Sequence, residues 1–379
     1  DVAFRGSFDG KGHVIRGLYI DVETDNVGLF GKVGGGNGQK IQNLTVSGNI
    51  EVGGRVSYVG GIVGNVEGTS DADRCQITNC QNNVVVTVKG IRTLDAGAGG
   101  IAGKASNAVI TACANTASIS IPTEEKGGIS YYSGGLVGVI AGGVRLQTSY
   151  NSGTIYSGHT AGGLAGELGK KQTSEIYSCY NGGNVTGIYY SGGLIGSVVF
   201  NVNAIKWCYT SGAVNPEDSG LSTGALFGLF TGGDYDSLLA LKRGDTLNRS
   251  LVGTSSEFVA SGKFISESEL KNDDTLNVLN KGGNCFIRDY LGFQNGYPIL
   301  SWQMTLEDFK VGSITELQKS VSEDDYVAEN WAEVQRVLAE GAEKIRAAGD
   351  METVDALRTQ IKEELRKIET KAGTDERKL

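Results

Sequence analysis

The feature that most restricts what this chain can fold into is a five-residue pattern that recurs seven times: VGLFG (27–31), GGIVG (60–64), GGIAG (99–103), GGLVG (134–138), GGLAG (162–166), GGLIG (192–196) and GALFG (224–228). Counted at the second position, successive copies lie 33, 39, 35, 28, 30 and 32 residues apart. A loose but sustained period of this length is the signature of stacked structural units. One such stretch alone, SGGLVGVIAGG (133–143), would pass for a phosphate-cradling loop or a linker.

In every copy the two residues before the last glycine are apolar. A short apolar strand running into an obligatory glycine suits a tight corner, where a Cβ would clash or φ must be positive. A second motif follows most copies: IQNLTVSGNI from Ile41, ITNCQNNVVV from Ile77, ITACANTASI from Ile110, LQTSYNSGTI from Leu146, IYSCYNGGNV from Ile176 and IKWCYTSGAV from Ile205. Two or three short strands per unit predict one coil of a parallel β-helix, with coils stacked at roughly 4.8 Å.

Aligning the second motif places Leu44, Cys80, Cys113, Ser149, Cys179 and Cys208 in one column, a small, buried, stacking position. Its cysteines read as reduced thiols packed as small hydrophobes. Cys80 with Cys113 and Cys179 with Cys208 stand on neighbouring coils, within the Cα range of a disulfide. Two residues on, Asn82, Asn115, Asn151 and Asn181 form a column whose amides can hydrogen-bond from coil to coil. Six cysteines in 379 residues, with no CxxC, make neither a disulfide scaffold nor a zinc site.

Composition divides the chain. Of 58 glycines, all but Gly312, Gly341, Gly349 and Gly373 precede Met304, and there are only 3 prolines, which excludes collagen and disordered Pro/Gly tracts. The segment 304–379 carries 12 Lys+Arg against 18 Asp+Glu, and so −6 of the net −9. The remainder is nearly neutral, which leaves no basic face for nucleic acid. No apolar run reaches the roughly 18 residues of a membrane span, and no basic region followed by an apolar stretch opens the chain, which reads as an excised or mature segment.

The repeat fades after Leu229. A helix over 265–280, with Leu270, Leu276 and Leu279 apolar, is predicted to cover the end of the stack. In the tail, Trp331, Val334, Leu338 and Ile345 share one helical face, and Val354, Leu357, Ile361, Leu365 and Ile368 share the next. With Ser313 and Glu316 as a capping box before a shorter first helix, this predicts an antiparallel three-helix bundle. The expected fold is mainly β, with coils over about 1–228, a cap over about 229–303 and a helical spacer over 304–379.

Catalytic motifs are absent. The two histidines, His13 and His159, are 146 residues apart, so there is no HExxH. A GxGxxA match at 97–102 lies within the repeat and opens no helix, and no P-loop occurs. Glycan hydrolysis needs two carboxylates about 5–9.5 Å apart. The column after the last motif glycine reads Lys32, Asn65, Lys104, Val139, Glu167, Ser197 and Leu229, with a single acid. Asp71 with Asp73 and Asp234 with Asp236 read as turn residues. No cofactor or metal is expected.

Ahead of the motif stand Tyr58, the pairs Tyr131-Tyr132 and Tyr189-Tyr190, and His159 with Thr160, the last three sets on consecutive coils. Such rings could offer flat amphipathic platforms to sugars or to a protein partner, or simply brace a strand before its corner.

These residues resemble the GLUG repeat family, whose G-L-apolar-G core matches GLFG, GIVG, GIAG, GLVG, GLAG, GLIG and ALFG. FRGSFDGKGHVIRGLYI (4–20) and NGYPILSW (295–302) are similar to segments that open and close such domains. The resemblance covers about 1–303. It implies a right-handed parallel β-helix in an exported, modular bacterial surface protein, in a family that includes adhesin-like proteins and segments attached to immunoglobulin A-cleaving metallopeptidases. The tail resembles FIVAR-type spacers of Gram-positive surface proteins.

The chain thus reads as a monomeric, non-catalytic module of a larger extracellular protein, presenting a β-helix face to a host or microbial glycan or surface protein. A polysaccharide-degrading β-helix, an accessory segment of a secreted hydrolase or peptidase, and a mechanical stalk without ligand are the alternatives.

Overall fold

The computed structural model describes residues 2–36, 38–54, 56–91, 96–122, 130–169, 172–199, 203–214, 222–243, 250–255 and 262–372. They form two compact units, Asp1–Cys285 and Phe286–Leu379.

The first unit is a parallel β-solenoid. One sheet holds seven strands, from Asn26–Val27 to Ser222–Gly224, and a second holds eight, from Phe30–Gly34 to Val252–Ser255. A third carries the second motif in 17 segments, from Phe8–Ile20 onward. The two apolar residues of each motif point inward: Leu136 and Val137, like Ile62 and Val63, are fully buried.

Close approach explains the motif glycines. A Cβ on Gly134 would lie 1.9 Å from the Val137 carbonyl oxygen, and one on Gly138 would lie 2.6 Å from the Ala98 nitrogen of the preceding coil. On Gly135 it would meet Asn151 Cγ at 2.3 Å. None of the three has positive φ, so the corner excludes the side chain and makes no use of glycine's left-handed freedom.

Gly135 and Asn151 tie the two motifs together. The Nδ2 of Asn82 donates to Asn115 Oδ1 at 2.8 Å, Asn115 to Asn151 at 2.7 Å, and Asn151 to Asn181 at 2.8 Å. Each amide also bonds the backbone two residues on, as Asn151 does with Gly153 in both directions. The second motif glycine lies against this ladder in successive coils, Gly61 on Asn82, Gly100 on Asn115 and Gly163 on Asn181. Ala225 replaces it in the coil whose ladder position is Ala240, where no amide needs the space.

Left-handed backbone occurs elsewhere, at residues that are not glycine. Asn43, Asn79, Ala112, Thr148, Ser178, Trp207 and Ser237 have φ between 43 and 55°. Each of the middle five immediately precedes a member of the cysteine and serine column. That neighbour reaches back over the bend: Cys80 Sγ donates to the Thr78 carbonyl at 3.3 Å, Cys208 Sγ to Lys206 at 3.2 Å and Ser149 Oγ to Gln147 at 2.8 Å. A small side chain carrying a donor therefore satisfies a buried carbonyl at a bend that costs a β-carbon roughly 1–2 kcal/mol. All six cysteines are free thiols, and Cys80, Cys113, Cys179 and Cys208 are buried.

Coils continue past Leu229, where the sequence pattern suggests only a cap. Strands Asp234–Asp236, Leu238–Leu241, Val252–Ser255 and Gly262–Ile265 extend the parallel sheets. Val252 and Thr254 pair with Phe227 and Leu229, so SLVG (250–253) is a further copy of the motif with only its last glycine retained. Asp234 and Asp236 accordingly lie on a strand, where Asp234 meets Lys206 at 2.5 Å. The predicted helix is split into Glu267–Leu270, with Ser266 and Glu269 as its capping box, and Asp273–Leu279, capped by Asn272. Leu270 and Leu279 are buried. The indole of Trp207 occupies the space over Gly282, where a Cβ would lie 2.3 Å from the ring.

In the second unit, helices Leu306–Lys319, Ala328–Ala347 and Met351–Arg366 share a core of Phe309, Leu317, Val334, Ile345, Val354 and Ile361. The boundary lies at 285/286 and not at 303/304, because Ile287 and Ile299, paired in a short antiparallel ladder, belong to this core, and Tyr290 packs on Phe309 at 5.3 Å. The first helix starts earlier than the capping-box reading places it. Thr305 is the N-cap, accepting from Asp308 N, and Ser313 is buried within the helix.

Candidate functional site

Strand pairing places one residue of each coil in a continuous column on the seven-stranded sheet: Asn26, Tyr58, Gly97, Tyr132, Thr160, Tyr190 and Ser222. The eight-stranded sheet carries a parallel column, Lys32, Asn65, Lys104, Val139, Glu167, Ser197 and Leu229. The glycine corner folds the two sheets toward each other on their outer side. Between them lies a groove of about 890 Å³ that runs across the coils, lined among others by Tyr58, Tyr132, Tyr190, Lys104, Val139 and Glu167.

The groove's charge is distributed in local pairs. The Lys104 ammonium sits 4.7 Å over the Tyr58 ring and 3.4 Å from its hydroxyl, a cation–π contact that presents the ring edge and the ammonium together. Lys32 meets Glu67 at 2.7 Å, and this hydrogen bond holds the Glu67 carboxyl below its ordinary range.

Aromatic contact is continuous on the other wall. The His159 imidazole stacks on Tyr189 at 4.7 Å, and stands edge-on to both Tyr132 and Tyr190 at 6.3 Å. Its Nδ1 is 2.8 Å from Thr160 Oγ1, and burial pushes its pKa down.

Of the aromatic residues singled out in the sequence, Tyr58, Tyr132, His159 and Tyr190 line the groove, and Tyr189 supports His159 while remaining 42 % exposed. Tyr131 does not: it is 5 % exposed and belongs to the core. Successive strand residues face opposite sides, so Tyr132 points out only because Tyr131 points in. The facing wall of Lys104, Val139 and Glu167 is a column that sequence reading tests only for paired acids. A separate stack of Tyr150, Tyr180 and Tyr209, with centroids 5.0 and 5.1 Å apart, goes unnoticed in the sequence, and Tyr180 and Tyr209 in it are buried.

The groove acids do not converge. Glu67 and Glu167 lie three coils apart, roughly 14 Å, beyond the span of about 5–9.5 Å that glycoside hydrolysis uses. Among the described residues no three His, Cys, Asp or Glu side chains gather as a metal site. Among the described residues no helix is long and apolar enough to cross a membrane.

No family model matches the chain, and no curated protein matches it. Among solved structures the chain is similar to a Bacteroides ovatus protein described as a "putative immunoglobulin A1 protease", at 19% identity, over 79% of this chain and 78% of that one, with a TM-score of 0.49.

Proposed function

We propose that this chain is a non-catalytic binding module whose concave groove holds a chain-like ligand, a host or microbial glycan or surface protein, laid across successive coils. The observation that carries this reading is the pairing of an aromatic wall (Tyr58, Tyr132, Tyr190) with a mixed polar wall (Lys104, Glu167) along one groove of about 890 Å³. Flat rings with polar tips beside a few placed charges are the composition of ligand sites. The separation of Glu67 from Glu167 supports binding over hydrolysis.

On the same reading the motif copies are GLUG repeats, the solenoid is right-handed, as parallel crossovers almost always are, and the tail is a three-helix spacer of FIVAR type. The module is monomeric and belongs to a larger bacterial surface protein, Gram-positive on the strength of the tail. The test is to probe the intact chain on glycan and peptide arrays beside a Tyr132→Ala/Tyr190→Ala variant of unchanged thermal midpoint. Ligands lost by the variant support the groove; an intact chain that binds nothing on either array overturns the reading in favour of a stalk.

A further inference from the structure

Tyrosines do not occupy every position of the outward column. They alternate: Tyr58, then Gly97, then Tyr132, then Thr160, then Tyr190, then Ser222. Neighbouring coils are roughly 4.8 Å apart, so these rings recur about every 9.6 Å along the groove. Between Tyr58 and Tyr132 stands Gly97, which carries no ring and over which the neighbouring wall closes: a Cβ there would lie 2.7 Å from the Gly103 carbonyl oxygen and 3.0 Å from Val139 Cγ2. Between Tyr132 and Tyr190 the His159 ring forms the floor, 6.3 Å from each.

Resting on the reading that this groove binds a ligand chain, we propose that the ligand is a proline-rich polypeptide in the polyproline II conformation, lying along the solenoid axis. That helix advances about 3.1 Å per residue and repeats every three residues, about 9.3 Å, within about 0.3 Å of the tyrosine spacing. An extended strand repeats its side chains every 6.6 Å or so and an α-helix turns every 5.4 Å or so, and neither period coincides with the rings. Proline at every third position places a pyrrolidine ring between successive tyrosines, the mode by which aromatic-lined grooves take polyproline II segments. The segment's backbone has no internal hydrogen bonds, so its carbonyls are free to accept from the Lys104 ammonium and the tyrosine hydroxyls. The Glu167 carboxylate lies in the same groove and favours a basic residue among the intervening positions.

The experiment is calorimetric titration of the full chain with a synthetic peptide of about 12 residues bearing proline at every third position, a peptide of the same composition with the prolines grouped, and a β-linked glucose oligosaccharide. The periodic peptide binds, and Tyr132→Ala and Tyr190→Ala each weaken it about tenfold, while Tyr132→Phe retains most of the affinity. Equal binding of the grouped peptide overturns the period match. Binding of the oligosaccharide with neither peptide overturns the polyproline ligand and leaves the groove reading standing. Binding of none of the three overturns the polyproline ligand, and the array experiment then decides the groove reading separately.

Discussion

The imidazole of His159 lies on the ring of Tyr189 with centroids 4.7 Å apart and planes inclined by 27°. Burial drives its pKa below the ordinary 6.5. The unfolded chain therefore takes up the proton first, and the associated stability is present above pH 6.5 and lost as pH falls toward the folded value. Replacing the imidazole in His159→Gln should flatten that part of the acid dependence. Thermal midpoints recorded from about pH 7 down to about pH 5 check this; parallel curves for the two proteins would contradict it.

The asparagine ladder should be costly to interrupt. In Asn151→Ala, the Asn115 Nδ2 and Gly153 N–H groups lose the acceptor they have in the core. At about 1–3 kcal/mol for each stranded donor, the solenoid should lose about 2–6 kcal/mol. Denaturant titration measures it, and a loss below about 1 kcal/mol would show that water replaces the amide.

The corner glycines should tolerate no side chain even though their φ values permit one. Gly135→Ala forces a Cβ to within 2.1 Å of the Gly163 carbonyl oxygen, whereas a Cβ on Gly349 meets nothing within 4 Å. The first change is expected to destabilise by about 1–3 kcal/mol or to prevent folding, the second to stay within about 0.5 kcal/mol. Similar effects from both would remove close approach as the reason for the motif.

Thiol chemistry offers a count. Cys75, Cys80, Cys113, Cys179 and Cys208 are buried and only Cys285 is partly accessible. Burial pushes the Cys75 thiol up to about 11 and the Cys113 and Cys179 thiols upward as well, which suppresses the reactive thiolate. One cysteine should react with a thiol reagent in the native chain and all six in denaturant. Fewer than six on unfolding would reveal an inter-coil disulfide.

In the helical unit, Arg358 is 1 % exposed and bonds Asp355 at 2.9 Å and Glu316 at 3.4 Å, while Glu316 is also held by Lys362. Arg358→Ala should cost about 3 kcal/mol, because the acids keep their charge and lose the buried cation. Arg358→Met, which keeps the packing of the stem, should cost less. Denaturation followed by the helical circular dichroism signal separates the two; equal losses would assign the effect to the lost charge and none of it to packing.

Much of the solenoid is legible in the residues themselves. The apolar pair before each last glycine identifies the inward strand, and columns such as Asn82 to Asn181 can be aligned by eye because each coil repeats the same contacts. SLVG (250–253) escapes notice because its coil kept only the glycine that faces the preceding corner. The left-handed column is hidden for a related reason: Asn43 and Asn79 favour that backbone, but Ala112, Thr148, Ser178 and Trp207 carry no such preference, and stacking imposes it on them.

What the sequence by itself determined is therefore the repeating coil, its buried apolar pairs and its glycine corners, since these rest on contacts made within a coil and copied to the next. Only the tertiary structure decided that Tyr132 faces out while Tyr131 fills the core, that the unit boundary falls at 285/286, and that Tyr58, Tyr132 and Tyr190 stand opposite Lys104, Val139 and Glu167. Coils of 28 to 39 residues keep no constant spacing along the chain, so the facing of two columns is set by strand register and by the angle of the corner, which exist only once the coils have stacked.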